Sequence, residues 1–246
     1  MKPYLAFTLL SATLILNSSA NEKWTSLFNG ESLDGWIQRG GKAKYSVEDG
    51  CIVGRTVPKT PNSFLCTEKQ YGDFILEYEF KVDPRLNSGV QIRSQTKESG
   101  RVFGYQVEID PDTKRNRMWT GGIYDEARRG WLNDLSKNEK ARKAFKPNDW
   151  NKIKVHAHGD SIRTWINGVP AADLVDSMTQ SGFIGLQVHG IGNKSDGPYE
   201  VRWRNIRIQD MGSHKWSSIF DGKSLQGWKA LPGGTWNVDE GRIIGK

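Results

Sequence analysis

Three short alternating runs in this chain carry side chains suited to proton transfer and to holding a hydroxylated ligand. Gln106, Glu108 and Asp110 recur at every second position of one run, Gln91 and Arg93 of another, and Gln187 and His189 of a third. Residues two apart on a strand share a face. Each run therefore turns its polar set to one side and an apolar set to the other: Val90 and Ile92; Tyr105, Val107 and Ile109; Ile184, Leu186 and Val188. The polar groups are not the Lys, Thr and Glu of an ordinary solvated face. If the three strands are neighbours they form a polar floor, with Arg93 as cation, Glu108 and Asp110 as acceptors and His189 as acid or base. Alternation alone is what any half-exposed strand shows, so the floor depends on that adjacency.

Other clusters carry less. His156 and His158 share a face but share it with Lys152 and Lys154, the pattern of a solvated edge. His214 falls in a linker and is expected to be idle. No zinc-spaced cluster, phosphate loop or nucleophile elbow is present in the sequence. Tyr124, Trp119 and Trp131 offer flat faces for a sugar ring or, equally, for a core.

The elements that must position these groups are strands. Phe74, Leu76, Tyr78, Phe80 and Val82 alternate with more polar neighbours. Residues 89–94, 104–110, 150–158, 161–166, 182–189 and 199–208 read the same way, and Asn167-Gly168 is a hairpin signal. One helix is expected, at Leu132–Phe145, capped by Asn133 or Asp134. The fold class is all-β: a jelly-roll sandwich of two antiparallel sheets with a short helical insertion.

The chain has 246 residues, 27 of them glycine and 10 tryptophan, and a formal charge of +7. That excess is local. Residues 114–146 hold ten basic and four acidic residues, so they carry +6 and the rest +1. Four interrupting acids and an exported chain argue against nucleic acid as a partner. Lys2, the apolar run Tyr4–Leu16 and Ser18 and Ala20 fit a secretory leader at 1–20, too short to span a bilayer, and place the protein outside the cell or in the periplasm. Export permits a disulfide between Cys51 and Cys66, and two buried free thiols fit equally well.

A repeat defines the domains. Trp24–Trp36 returns as Trp216–Trp228 with eight of 13 positions identical, and Tyr45–Gly54 returns as Trp236–Gly245. The expected organisation is one domain at 22–211 followed, at 212–246, by a linker and the truncated start of a second copy, itself a partner for the first in a longer protein.

The motifs Leu27-Phe-Asn-Gly30, Leu33-Asp-Gly-Trp36, Asn87-Ser-Gly-Val-Gln-Ile-Arg93, Tyr105-Gln-Val-Glu-Ile-Asp110, Thr120-Gly-Gly-Ile-Tyr124, Gly185-Leu-Gln-Val-His-Gly190 and Arg204-Asn-Ile-Arg-Ile208 stand in this order. Taken together the chain resembles the 3-keto-disaccharide hydrolase family across about 24–209. The resemblance implies a concanavalin A-like jelly roll acting on a saccharide whose sugar is a ketone at C3. Such a ketone acidifies the C2 proton, so a base can form an enolate and the C1 oxygen can leave. Water then adds back. On this resemblance His189 and Glu108 share the acid and base roles in either order. Arg93 steadies the enolate, and Gln91, Gln106, Gln187, Asp110 and Tyr124 bind substrate. No metal site is assigned; the one cofactor this set could hold is a hard divalent cation on Glu108 and Asp110. Two other readings compete. One is a non-catalytic carbohydrate-binding module. The other is a conventional glycosidase, whose Glu-x-Asp-x-x-Glu pattern Glu108-Ile-Asp110 begins and Thr113 breaks.

Overall fold

The computed structural model describes residues 23–112 and 117–246. The leader expected at 1–20 and Thr113 lie outside the described residues. In chain order the strands are β1 (Thr25–Ser26), β2 (Trp36–Gly40), β3 (Lys44–Glu48), β4 (Cys51–Arg55), β5 (Ser63–Thr67), β6 (Asp73–Val82), β7 (Ser88–Thr96), β8 (Val102–Ile109), β9 (Ile123–Glu126) and β10 (Gly130–Asn133). Helix α1 (Glu139–Ala144) follows, then β11 (Asn151–His158), β12 (Ser161–Ile166), β13 (Val169–Val175), β14 (Phe183–Val188), β15 (Glu200–Gly212), β16 (Trp236–Asp239) and β17 (Arg242–Gly245).

Two antiparallel sheets face each other. The first runs β13-β12-β11-β6-β15-β4-β3, with β1 beside β15; the second runs β10-β9-β8-β7-β14-β5-β2. The alternation explains the core. Leu76, Tyr78, Phe80, Val155 and Trp203 from the first sheet and Val90, Tyr105, Val107 and Leu186 from the second are all at most 1% exposed. Burying a side chain of this size contributes about 1.5–3 kcal/mol. The β12–β13 hairpin turns on Asn167 (φ 49°) and Gly168 (φ 83°), the paired positive angles of a type I′ turn.

The helix is shorter than the periodicity predicts. Leu132 belongs to β10, where Trp131 pairs with Tyr124 of β9 and extends the second sheet. The helix starts seven residues after Leu132 because Asn138, not Asn133 or Asp134, caps it: its Oδ1 accepts from the Ala141 amide at 3.1 Å. Asn138 Nδ2 also donates to the Pro170 and Ala171 carbonyls, tying the cap to β13. Cys51 and Cys66 are free and buried, on strands of opposite sheets. Burial pushes the Cys66 thiol up to about 12.

The repeated segment forms its own two-stranded sheet of β16 and β17. Trp236 pairs with Gly245 there as Tyr45 pairs with Gly54 in the β3–β4 hairpin. Both turns use a non-glycine at positive φ followed by glycine: Asp49-Gly50 and Glu240-Gly241.

A cleft over the second sheet

The three polar runs lie side by side, as β8, β7 and β14 of the second sheet. Over them opens a cleft of about 1060 Å³ lined by Gln106, Glu108, Asp110, Tyr124, Trp131 and His189, together with Asn62, Asn87, Arg101, Arg117, Glu126 and Lys194. Its volume is that of a small-molecule site.

Glu108 anchors the floor. Its Oε1 accepts from Asn87 Nδ2 at 2.5 Å and its Oε2 from Gln106 Nε2 at 2.8 Å. The chain of bonds continues beneath it. Gln106 Oε1 accepts from Gln91 Nε2 at 2.7 Å, and Gln91 Oε1 accepts from Ser94 Oγ at 2.6 Å. Every amide orientation in that chain is thereby determined. Gly89, opposite Glu108 in the ladder, makes room for the Gln106 side chain: a Cβ there would lie 2.5 Å from Gln106 Cγ and Cδ. Burial pushes the Glu108 carboxyl up to about 7; the bonds from Asn87 and Gln106 pull the other way, and the charges of Asp110 and Glu126 add to the rise. A carboxyl titrating there is available as an acid or a base at neutral pH.

His189 stands just past the end of β14. Its Nδ1 lies 2.8 Å from the Gly190 carbonyl oxygen, and the Gly190 amide donates to Asn62 Oδ1 at 2.9 Å. A carbonyl only accepts, so in the neutral ring Nδ1 carries the proton and Nε2 keeps its lone pair. Glu126, two residues beyond Tyr124 on the same face of β9, is a second cleft carboxyl. Burial raises it, while His189 and Arg101 lower it by charge and Asn62 by a hydrogen bond. Arg101 Nη2 is 4.0 Å from Glu126 Oε1.

An aromatic wall completes the cleft. Tyr124 meets Trp131 edge-on at 5.4 Å, Trp131 meets Trp119 at 4.8 Å, and the Arg117 guanidinium lies over Trp119 at 4.7 Å. Arg117 also pairs with Asp110 Oδ2 at 2.9 Å. Asp110 is thus a wall group paired with a cation, and Glu108 faces two amide donors.

Arg93 is elsewhere. Alternation puts it on the polar face, but β7 bulges between Ile92 and Gln95 and Arg93 takes φ 46°, which turns its side chain between the sheets. There, fully buried, it donates to the Gly72 and Gly159 carbonyls at 2.8 and 2.6 Å and to Asp73 Oδ1 at 2.9 Å. It is a structural cation and does not reach the cleft. Gln91 and Gln187 are buried beneath the floor and do not line it; Gln91 acts on Glu108 through Gln106. Trp119 supports the wall from behind. Glu126 had a signal, its two-residue spacing from Tyr124. Asn62 and Arg101 sit between strands, where no period marks a residue. His214 is not idle: its Nδ1 lies 2.6 Å from Asp73 Oδ2.

The chain matches the 3-keto-alpha-glucoside-1,2-lyase-like domain over residues 23–209. Among solved structures it is similar to a candidate glycosyl hydrolase from Parabacteroides distasonis, with 20% identity, TM-score 0.55, and 76% of this chain and 94% of that one covered. A second candidate glycosyl hydrolase from that organism matches at 21% identity and TM-score 0.53, over 77% of this chain and 100% of that one. A Bacillus subtilis protein of unknown function with a galectin-like fold matches at 11% identity and TM-score 0.57, over 78% and 100%. At these identities the likeness establishes the jelly-roll sandwich. Comparison with curated proteins found no match.

Proposed function

The chain belongs to the 3-keto-alpha-glucoside-1,2-lyase-like family, and from that premise we propose that it cleaves 3-keto glycosides by elimination and hydration in the cleft over the second sheet. Family membership supports a carbohydrate-related role; the observation that carries the finer reading is Glu108. It is a buried carboxyl raised to about 7 on the floor of a cleft that His189 also lines.

In this proposal His189 Nε2 is the base, because Nδ1 is committed to the Gly190 carbonyl. It takes the C2 proton made acidic by the C3 ketone. Electrons move into the enolate, and Arg101, the cation beside Glu126 and Tyr124, faces the developing charge. Collapse of the enolate forms the C1–C2 double bond and expels the C1 oxygen, which takes the Glu108 proton. Hydration runs these transfers backwards. Glu108, now ionised, takes a proton from the water that attacks C1, and His189 returns one to C2. Both groups end as they began. Tyr124 and Trp131 stack on the sugar. We further propose export, from the leader-like run at 4–16.

Glu126 supports a second reading, since two carboxyls in one cleft are what a conventional glycosidase uses. One assay separates these. Incubated with a 3-keto glycoside and with its parent, the protein is expected to cleave only the keto compound. Glu108→Gln and His189→Ala should each lose about 10²–10⁴-fold in kcat. Cleavage of the parent points to the glycosidase, and binding without turnover points to a carbohydrate-binding module.

A further inference from the structure

Outside the cleft, the start of β6, the β11–β12 turn and the segment after β15 meet at one point. Asp73, His158 and His214 converge there, and one donor atom from each lies within 4.8 Å of the others. The two oxygens of Asp73 have divided tasks. Oδ1 accepts from Arg93 Nη2 and from the Gly159 amide, both at 2.9 Å. Oδ2 faces the two imidazoles, 2.6 Å from His214 Nδ1 and 3.8 Å from His158 Nε2. Gly159 supplies the room: a Cβ there would stand 3.1 Å from the His214 ring.

We propose that this trio is a binding site for a borderline divalent transition-metal ion, zinc being the fitting probe. Two imidazoles and one carboxylate are a donor set that zinc takes, with water completing the shell. A tetrahedral zinc with bonds near 2.0–2.2 Å separates its donors by about 3.3 Å. The two Asp73 spacings, 2.6 and 3.8 Å, bracket that value and the imidazole donors lie within 4.8 Å of each other, so small side-chain shifts close the shell. The outer contacts are in place: Arg93 and the Gly159 amide fix the carboxylate through its other oxygen, as second-layer partners do in metal sites. His158, 57% exposed in its side chain, is the entry side; His214, at 14%, is the covered one. Two ligands come from the first sheet and the third from the segment leading to the repeat. The bound ion would therefore staple that segment to the sandwich, next to Trp216, whose ring lies 4.4 Å from the His214 ring.

The test is calorimetric titration of the chelator-stripped full chain with zinc chloride. One equivalent is expected to bind with a micromolar or tighter Kd. His158→Ala and His214→Ala should each weaken it at least tenfold, while His189→Ala, in the cleft, leaves it unchanged. His158 is exposed, so its variant tests the site without threatening the fold. Zinc should also slow trypsin cleavage after Lys215 severalfold in the wild type and not in His214→Ala. No saturable binding, binding undiminished in both variants, or binding abolished by His189→Ala overturns the proposal.

Discussion

Two influences oppose each other at the Glu108 carboxyl. Burial favours its neutral form, while Asn87 and Gln106 donate to both oxygens and favour the charged one; the balance moves it from 4.5 to about 7. The sign of the stability effect follows. Between those values the folded protein holds a proton that the unfolded chain has released, so stability falls as pH rises from about 4.5 to about 7 and then levels off. Glu108→Gln removes that dependence. The stability difference between pH 4.5 and pH 8, read by urea melts, should shrink in the variant by on the order of 3 kcal/mol. An unchanged difference would place the carboxyl in solvent. Much of this residue's setting was legible: the spacing of Gln106, Glu108 and Asp110 put them on one face. The pull of Arg117 on Asp110 was not, since a pair across a loop leaves no period.

At the scale of elements, β7 shows where alternation stops predicting. A run read as period two places Arg93 beside Gln91. The bulge after Ile92 breaks the period and sends Arg93 between the sheets to Asp73. An inserted residue in a ladder has no signature in a single sequence. The consequence is testable: Arg93→Met leaves Asp73 buried without its guanidinium and should cost about 3–5 kcal/mol of stability. Its kcat on a 3-keto glycoside, measured at a temperature where the variant is folded, should stay near wild type. A large loss of kcat in the folded variant would return Arg93 to the chemistry. Helix α1 gives the same lesson, since apolar spacing from Leu132 onward also fits a strand followed by a loop, and only the Asn138 contacts with β13 decide. Where two segments are alike in sequence the register is alike too: Trp236–Gly245 and Tyr45–Gly54 form hairpins with equivalent pairs.

For the whole molecule, the formal charge of +7 gathers in residues 114–146. Several of its cations are paired. Arg128 and Arg129 pair with Asp125, Arg129 also with Asp176, Arg117 with Asp110 and Lys143 with Glu139. The sandwich itself was readable from strand patterns; strand order was not, because pairing of distant segments such as β14 with β7 is a property of the folded chain. That order matters most, since it sets Glu108, Gln106 and His189 around one cleft. The central claim is that the C2 proton leaves during turnover. Running the reaction on a 3-keto glycoside in D₂O, against an enzyme-free control, measures this by the label at C2 of the released sugar. Deuterium at C2 above the control, lost with His189→Ala, is the predicted result; a cleaved product carrying only protium there would contradict it.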